Sequence, residues 1–469
     1  MKIKTTITDR PDRFQKPVRS LAIALLLLNN SLIAQTKDSV ITPTDTLAKE
    51  ISNFNTEIKS LKKLKLSGWI QAQYQIADQR GVETYAGGSN FNANVDNRFS
   101  VRRGRLKAVY DNGLSLYSMQ IDISERNVQM REMFVKFTDP WLKTFSLTTG
   151  MFNRPFGYEI SYSSSLRESP ERARMSQSIF FNERDLGTWL TIQAPHSSKL
   201  HFIKIDAAMV SGTGIANVNN LGAKVNDPNN NTQNNTSGGN DFDFQKDFIG
   251  KMSFKGHIKD KKGEISGGLS YYNGGYRTGN SIIYNSTDNN NGFTPIKDTL
   301  NYGSVVKRLH YGADIQFSYD FPFGNTTIRG EYIMGQMPGL GFRTFNATPY
   351  SQPVTPIYIR SFDGAYFYFV QRIAKTKHQI VVKYDWYDPN IRVKGEQIGA
   401  KNSNTTAADV RFDTWGFGYL YYWDVNVKLS LYYDMVTNEN TLIHSKNPTN
   451  DFSNDIKDNI ITVRVQYKF

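Results

Sequence analysis

Residues 64–76 read Leu64-Lys-Leu-Ser-Gly-Trp-Ile-Gln-Ala-Gln-Tyr-Gln-Ile76, and this stretch decides the fold. Its even-numbered positions are apolar or small, whereas its odd-numbered positions carry Lys, Ser, Trp and three Gln. Side chains alternate between the two faces of a β-strand, so a period of two predicts a strand with one apolar and one polar face. A tilted strand needs only about ten residues to cross a bilayer.

The same alternation recurs along the rest of the chain. The 26 Tyr and 29 Phe residues are typical of half-buried strands. The segment near 362–372 is ambiguous, because both of its faces are aromatic. We predict sixteen strands, near residues 64–76, 98–110, 114–123, 128–137, 145–153, 187–194, 200–210, 247–258, 265–273, 308–319, 326–335, 362–372, 378–386, 412–423, 427–436 and 459–469.

Short and long connections mostly alternate between these strands. The short ones include residues 111–113, 139–140, 259–263, 321–325 and 424–426. The long ones include residues 154–186, 211–246, 274–306, 337–361, 387–411 and 437–458, and the short link 124–127 departs from the alternation. Short turns at one end and long loops at the other are typical of outer-membrane barrels. We therefore predict an all-β fold for residues 64–469, a 16-stranded antiparallel transmembrane β-barrel with both of its ends on the periplasmic side.

Residues 1–34 have the composition of a secretory signal peptide. Six basic residues precede the apolar run 21–28, and the small residue Ala34 follows it. The alternative is a short buried helix, but the run is too short to span a bilayer and has nothing else around it to pack on.

Residues 35–63 would then form a periplasmic tether with a short heptad helix. The apolar residues that follow the heptad spacing are Leu47, Ile51, Phe54, Ile58 and Leu61. Two heptads are marginal for an independent coiled coil but would add to an oligomer held together elsewhere. The alternative is a lone amphipathic helix that lies on its own domain.

Several classes of function are excluded by what the chain lacks. It has no Cys, which excludes disulfides, Fe–S clusters, Cys-based zinc sites and a thiol nucleophile. Its six His form no HExxH motif, and it contains no GxSxG or Walker motif. We therefore expect no catalytic residues, no metal and no cofactor. The basic residues behind the net charge of +13 alternate with apolar ones over many strands, which argues against nucleic-acid binding.

The polar faces would line a lumen with an excess of basic residues. Three of them share one face of the second predicted strand at steps of about 7 Å, namely Arg103, Arg105 and Lys107. Further candidates with inward parity are Lys251, Lys255, Arg308 and Arg329. Confined basic groups attract anions, and a guanidinium fork matches phosphate oxygens. The alternative is that these charges pair with lumenal carboxylates and leave a non-selective pore for general diffusion.

The long loop 154–186 is dense in both signs of charge. Its arginines are Arg154, Arg167, Arg172, Arg174 and Arg184, and they accompany five acidic residues. Such a loop could fold into the barrel, pair with its wall and leave some arginines free to set selectivity. The alternative is a surface loop with exposed ion pairs.

The chain ends in an amphipathic strand whose last residue is aromatic. Phe469 follows apolar residues at alternate positions. A terminal aromatic of this kind is what outer-membrane barrels present to their assembly machinery, so we expect that machinery and outer-membrane lipid as partners.

Residues 99–189 resemble the phosphate-selective porin O and P family. The resemblance is carried by Phe99-Ser-Val-Arg-Arg-Gly-Arg-Leu106, Tyr117-Ser-Met-Gln-Ile-Asp122, Thr149-Gly-Met-Phe-Asn-Arg-Pro-Phe-Gly-Tyr-Glu159 and Phe180-Phe-Asn-Glu-Arg-Asp-Leu-Gly187. It covers about a fifth of the chain, and later strands match only in pattern.

The resemblance implies a 16-stranded outer-membrane barrel, usually trimeric, with loops folded inward and a basic lumen. Some members carry a periplasmic coiled coil. Arg103, Arg105, Arg154 and Arg184 fall within the matching motifs and would be lumen or constriction residues. Lumenal acids and a Lys-heavy basic set weaken the inference to phosphate in particular.

The leading hypothesis is a passive outer-membrane porin of a Gram-negative bacterium that favours small anions, phosphate among them. A non-selective diffusion porin is the second hypothesis. A secreted all-β binding protein without a pore is a third, from another class.

Overall fold

The structure is a computed structural model that describes residues 50–55, 58, 60–125, 128–180, 183–214, 225–227, 230–233, 241–258, 262–286, 292–341 and 352–469. The predicted signal peptide, the tether 35–46 and Leu47 of the heptad lie outside these residues. The chain divides into two units, residues 1–61 and 62–469.

The first unit contains the helical residues 50–55, 58, 60 and 61. The heptad side chains Ile51, Phe54 and Leu61 are all more than half exposed. The helical conformation agrees with the heptad spacing, and the self-association that it would support stays a prediction.

The second unit is a closed β-barrel of sixteen strands. These are β1 Leu64–Ala77, β2 Asn97–Asp111, β3 Ser115–Ile123, β4 Val128–Thr138, β5 Phe145–Asn153, β6 Arg184–Gln193, β7 Ile203–Val210, β8 Asp247–Ile258, β9 Gly263–Arg277, β10 Val305–Phe321, β11 Gly324–Gly339, β12 Ile357–Arg372, β13 His378–Asp388, β14 Phe412–Tyr422, β15 Val427–Asn438 and β16 Ile460–Lys468. Each strand pairs antiparallel with the next, and β16 pairs antiparallel with β1. The predicted fold class and strand number are confirmed.

The largest differences from the predicted bounds are at the long-loop end, where β9, β11 and β12 extend further than the alternation indicates. A small hydrophobic cluster lies at this end, formed by residues of the extended strands, of β10 and of the adjoining loops. It contains Tyr276, Ile283, Val306, Leu340 and Ile357. Burial of these side chains favours continued pairing beyond the membrane-length pattern.

Short elements fill the long loops. A helix, α1, spans Arg174–Ile179. Two short hairpins pair Val225–Asp227 with Asn230–Gln233 and Ile282–Ser286 with Phe293–Lys297. Single 3-10 turns lie at Thr299–Asn301, Gly395–Gln397, Ala407–Asp409 and Pro448–Asn450.

The barrel buries its polar face and exposes its apolar face. On β16 the exposed residues, each at 40–47% exposure, are Ile461, Val463, Val465 and Tyr467. The alternate residues are at most 4% exposed, and they are Thr462, Arg464 and Gln466. A barrel surrounded by lipid requires this arrangement, in which apolar side chains face outward and polar ones fill the interior.

The segment that was ambiguous in the sequence has a simple explanation in β12. Phe367 and Phe369 face outward and are about half exposed, whereas Tyr366 and Tyr368 face inward and are almost completely buried. The inward tyrosines belong to a hydrophobic core shared with loop 154–183. Both faces are therefore aromatic because one meets the surroundings of the barrel and the other meets a loop inside it.

The barrel closes between β1 and the C-terminal residue. The Phe469 amide donates to the Gly68 carbonyl at 3.0 Å, and the Gly68 amide donates to the Phe469 carbonyl at 3.1 Å. A Cβ atom at Gly68 would lie 2.6 Å from both the Arg105 carbonyl oxygen and the Phe469 ring. Only glycine therefore allows the terminal ring and β2 to approach this point of β1.

We expect Gly68→Ala to lower the free energy of unfolding by about 1–3 kcal/mol, because the added methyl group overpacks the closing seam. The measurement is denaturant unfolding of the detergent-solubilised barrel. Gly256→Ala is the matched control, since its Cβ would meet only Ile265, at 3.8 Å. Equal losses of stability in the two variants would contradict this account of the seam.

Candidate functional site: an arginine-lined cavity inside the barrel

The loop between β5 and β6, which the structure describes for residues 154–180 and 183, lies inside the barrel. Its Ser165 carbonyl accepts hydrogen bonds from Lys428 of β15 at 3.2 Å and from Gln466 of β16 at 2.9 Å. On the other side, its Glu159 amide donates to Glu331 of β11 at 2.9 Å. Because these partners stand on strands far apart around the barrel, the loop crosses the lumen and is not a surface loop.

Apolar side chains hold the loop against one part of the wall. Phe156, Met175 and Phe180 are at most 3% exposed and belong to the same core as inward residues of β7–β15. Gly157 has a φ of +57°, and a Cβ there would overlap the Glu331 carboxylate. The loop therefore packs tightly on this part of the wall and leaves space beside β2–β4.

That space is a cavity of about 600 Å³ bounded by the loop, β2–β4, and the long loops 78–96 and 439–459. Seven arginines line it, namely Arg102, Arg103, Arg105, Arg131, Arg167, Arg172 and Arg174. Five carboxylates also line it, namely Glu83, Asp122, Glu171, Glu183 and Asp458. With every group ionised, the lining would carry two more positive than negative charges.

Two β-bulges contribute two of these arginines. The register between β1 and β2 shifts at Gln71, where Arg102 is the extra residue before Arg103. The register between β3 and β4 shifts at Gln120, where Arg131 is the extra residue before Glu132. A bulge lets consecutive residues face the same side of a sheet, so both strands present an additional guanidinium to the cavity.

Glu171 gathers three arginines at one edge of the cavity. Its carboxylate lies 2.7 Å from Arg102, 2.8 Å from Arg103 and 3.1 Å from Arg464. Burial alone would raise the pKa of Glu171, but the three guanidinium charges hold that pKa well below its usual value. Glu171 therefore remains ionised and neutralises part of the basic lining.

Two further carboxylates pair with the other arginines. Asp122 lies 3.1 Å from Arg105, and Glu183 lies 2.7 Å from Arg131. Glu183 also contacts Arg172. The predicted pairing with lumenal acids therefore exists at these arginines.

Unlike the other six arginines of the cavity, Arg167 forms no ion pair with a carboxylate of the residues that the structure describes. It is 4% exposed, and its Nε and Nη1 atoms have no hydrogen-bond partner among the residues described here. Burial and the neighbouring charge of Arg167 lower the pKa of Arg172 well below its usual value. A buried guanidinium close to other cations and without a carboxylate partner is suited to receive an anion.

The remaining predicted site residues lie away from the cavity lining. Lys107 and Arg184 both approach Glu132, at 2.9 Å and 3.6 Å. Lys255 pairs with Glu264 and is 61% exposed. The prediction that Lys255 lines the lumen was wrong. Lys255 has inward parity, but it lies near the short-turn end of β8, where its side chain reaches solvent.

Four other candidates are structural in this arrangement. Arg154 and Arg308 both donate to the Gly212 carbonyl, at 3.2 Å and 2.7 Å, and pair with Asp185 and Asp247. The two that hold the inward loop are Arg329, which pairs with Glu168, and Lys251, which donates to the Gly157 carbonyl. The structure therefore brings together Arg103, Arg105, Arg167, Arg172 and Arg174 of the predicted set.

The period of two in the sequence did not predict that Arg102 and Arg131 would face the lumen. A period of two assigns them to the outward face, and only a bulge turns them inward. The adjacent pair Arg102-Arg103 was the one available signal, since an arginine facing lipid at mid-strand is costly.

The described part of the chain has no group of three or more His, Asp or Glu side chains arranged to hold a metal ion. Among the same residues, no helix is long and apolar enough to cross a membrane.

Comparison with protein-family models gives no match, and comparison with curated proteins gives none. Among solved structures, the outer membrane channel DcaP of Acinetobacter baumannii is 10% identical with a TM-score of 0.47, over 87% of this chain and 97% of that chain. OmpT of Vibrio cholerae in its trimer form is 9% identical with a TM-score of 0.44, over 87% and 99%. OprB of Pseudomonas putida at low pH is 8% identical with a TM-score of 0.42, over 93% and 100%. At these values the likeness carries no information about activity.

We expect Glu171→Gln to lower the free energy of unfolding by about 3–5 kcal/mol, because it leaves two buried guanidinium groups, Arg103 and Arg464, and the partly buried Arg102 without their shared carboxylate. The charge of the lining also becomes more positive, so the anion-to-cation permeability ratio should rise. Denaturant unfolding and the reversal potential in a planar bilayer measure these effects. Glu264→Gln, which removes an exposed carboxylate, is the control. Unchanged stability and selectivity in Glu171→Gln would refute the role given to Glu171.

Asp458 should make the ion selectivity of the cavity depend on pH. Burial raises the pKa of Asp458 to about 7, although Arg174, 3.9 Å away, lowers it. The folded protein thus binds this proton more tightly than the unfolded chain, so Asp458 lowers stability as the pH rises from about 4 to 7. Protonation below pH 7 also removes a negative charge from the cavity. The anion-to-cation permeability ratio should therefore increase between pH 8 and pH 6.

Asp458→Asn should remove most of that increase, because no proton is then taken up at this position. The matched control is Asp451→Asn in the same loop, since a hydrogen bond from Ser453 lowers the pKa of Asp451. A pH dependence that persists in Asp458→Asn would assign the titration to another group.

Proposed function

We propose that this protein is an outer-membrane porin of a Gram-negative bacterium, through which small anions, phosphate among them, diffuse passively. The observation that carries the proposal is the cavity inside the barrel, where seven arginines face five carboxylates. A confined passage with a basic excess raises the local concentration of anions and repels cations. The proposal contains no catalytic step and no coupling to an energy source.

The outward apolar faces support the membrane location. Lipid-facing strands must satisfy their backbone groups within the sheet, and the closed ring of β1–β16 does so. Both ends of the barrel lie at the short-turn side, so the N-terminal helical segment would be periplasmic. The same geometry would present Phe469 to a periplasmic assembly machinery.

A homotrimer is also part of the proposal. The exposed heptad residues Ile51, Phe54 and Leu61 would be covered by the same residues of two further copies. The resemblance of residues 99–189 to the phosphate-selective porin O and P family agrees with a trimer and with an anion passage, and membership of that family stays a hypothesis.

A non-selective porin is the second candidate, and one observation favours it. Glu171 alone contacts three arginines, and other cavity arginines pair with Asp122 and Glu183. If this pairing cancels most of the basic field, the excess of two charges is too small to select between ions.

We expect the double variant Arg105→Gln, Arg131→Gln to abolish anion preference, since it removes the two-charge excess and frees Asp122, which both arginines approach. The measurement is the reversal potential of the purified protein in a planar bilayer under a KCl gradient. Arg80→Gln is the control, because Arg80 is exposed and outside the cavity lining. A double variant that is as anion-selective as the unmodified protein would exclude the cavity as the selective element.

Simpler observations distinguish the third hypothesis, a secreted binding protein without a pore, from the two porin hypotheses. A membrane barrel needs detergent for solubility and migrates differently on a gel before and after heating. A protein that is soluble without detergent and gives no conductance would support the third hypothesis.

A further inference from the structure

Part of the cavity lining is apolar. Phe180, Phe412, Phe452 and Ile456 form this part and are at most 6% exposed. Phe412, Phe452 and Ile456 belong to a second hydrophobic cluster, which the long loops near residues 389–411 and 439–459 form with β14 and β15. A passage that serves only small hydrated ions has no need for an aromatic surface inside it.

Arg174 connects the charged and the apolar parts of the lining. Its guanidinium carbon lies 3.6 Å from the centre of the Phe412 ring and 4.7 Å from that of Tyr85. Stacking on two rings holds the guanidinium in place while its edge remains available for hydrogen bonds. Charged and apolar groups are therefore in direct contact along this wall.

Because most of the cavity arginines already pair with carboxylates, few remain to compensate the charge of a bound anion. Glu171 occupies Arg102 and Arg103, and Asp122 occupies Arg105. Arg167, without a hydrogen-bond partner for Nε and Nη1 among the described residues, is the exception. One guanidinium fork matches one carboxylate, whereas a phosphate dianion retains its hydration unless several donors replace it.

We propose that the cavity binds organic monocarboxylates with an aromatic or alkyl body, the carboxylate at Arg167 and the body against Phe412, Phe452 and Ile456. This inference rests on the proposed function and specifies the class of anion for the same passage. A volume of about 600 Å³ accommodates such a molecule. Burial of its body supplies affinity that acetate and inorganic phosphate lack.

The test compares acids of equal charge in one measurement. Chloride current through the full-length, detergent-extracted protein is recorded in a planar bilayer while benzoate, acetate or inorganic phosphate is added. The half-blocking concentration should be about tenfold lower for benzoate than for acetate, because only benzoate buries a ring. Phosphate should block no better than acetate.

Variants assign the two halves of the site. Arg167→Gln should raise the half-blocking concentration of both acids by about tenfold, since it removes the charged partner. Phe452→Ala should raise that of benzoate alone, and Ile456→Ser serves as a second apolar variant if Phe452→Ala does not fold. Arg80→Gln, a change at an exposed arginine outside the lining, should leave both values unchanged.

Equal block by benzoate and acetate, or tighter block by phosphate, would overturn this inference. The reversal potential in KCl alone would still report anion preference in that case, so the proposed function would stand. Loss of anion preference in KCl would instead refute the proposed function, whatever the ratio between the acids.

Discussion

The constraint on which this structure depends is that a sheet surrounded by lipid must leave no backbone N–H or C=O group unpaired. Sixteen strands meet it by closing into a ring, and the last contact of that ring joins Phe469 to Gly68. Closure turns the mainly apolar faces outward and the mainly polar faces inward. The charged groups of the inward faces must therefore find their partners inside the barrel, which is why the candidate site lies in the lumen.

One loop supplies many of the partners for these charges. Residues 154–183 supply carbonyls to Lys428 and Arg464 and the carboxylate of Glu171 to three arginines. The same loop packs its apolar residues on an aromatic part of the wall. Its position divides the interior into a filled part and a cavity, and the cavity keeps those arginines that the carboxylates do not fully compensate.

Much of the fold could be predicted from the sequence, because lipid on one side and polar groups on the other impose a period of two on every strand. The sixteen strands and the inward position of Arg103 and Arg105 follow from that period. Arg102 and Arg131 could not be predicted, since a bulge reverses the face of a residue without changing the composition around it. The pairing of Arg154 and Arg308 around Gly212 also escaped prediction, because it joins segments far apart in the chain. Tertiary contacts thus decided which basic residues reach the cavity and which only hold the structure together.

The most direct test of the account is the reversal potential of the unmodified, detergent-extracted protein in a planar bilayer under a KCl gradient at neutral pH. A basic excess in the cavity predicts a potential displaced toward that of chloride, with steps of defined conductance. A potential at zero or displaced toward that of potassium would contradict the account, and the cavity arginines would then be only structural partners of the lumenal acids.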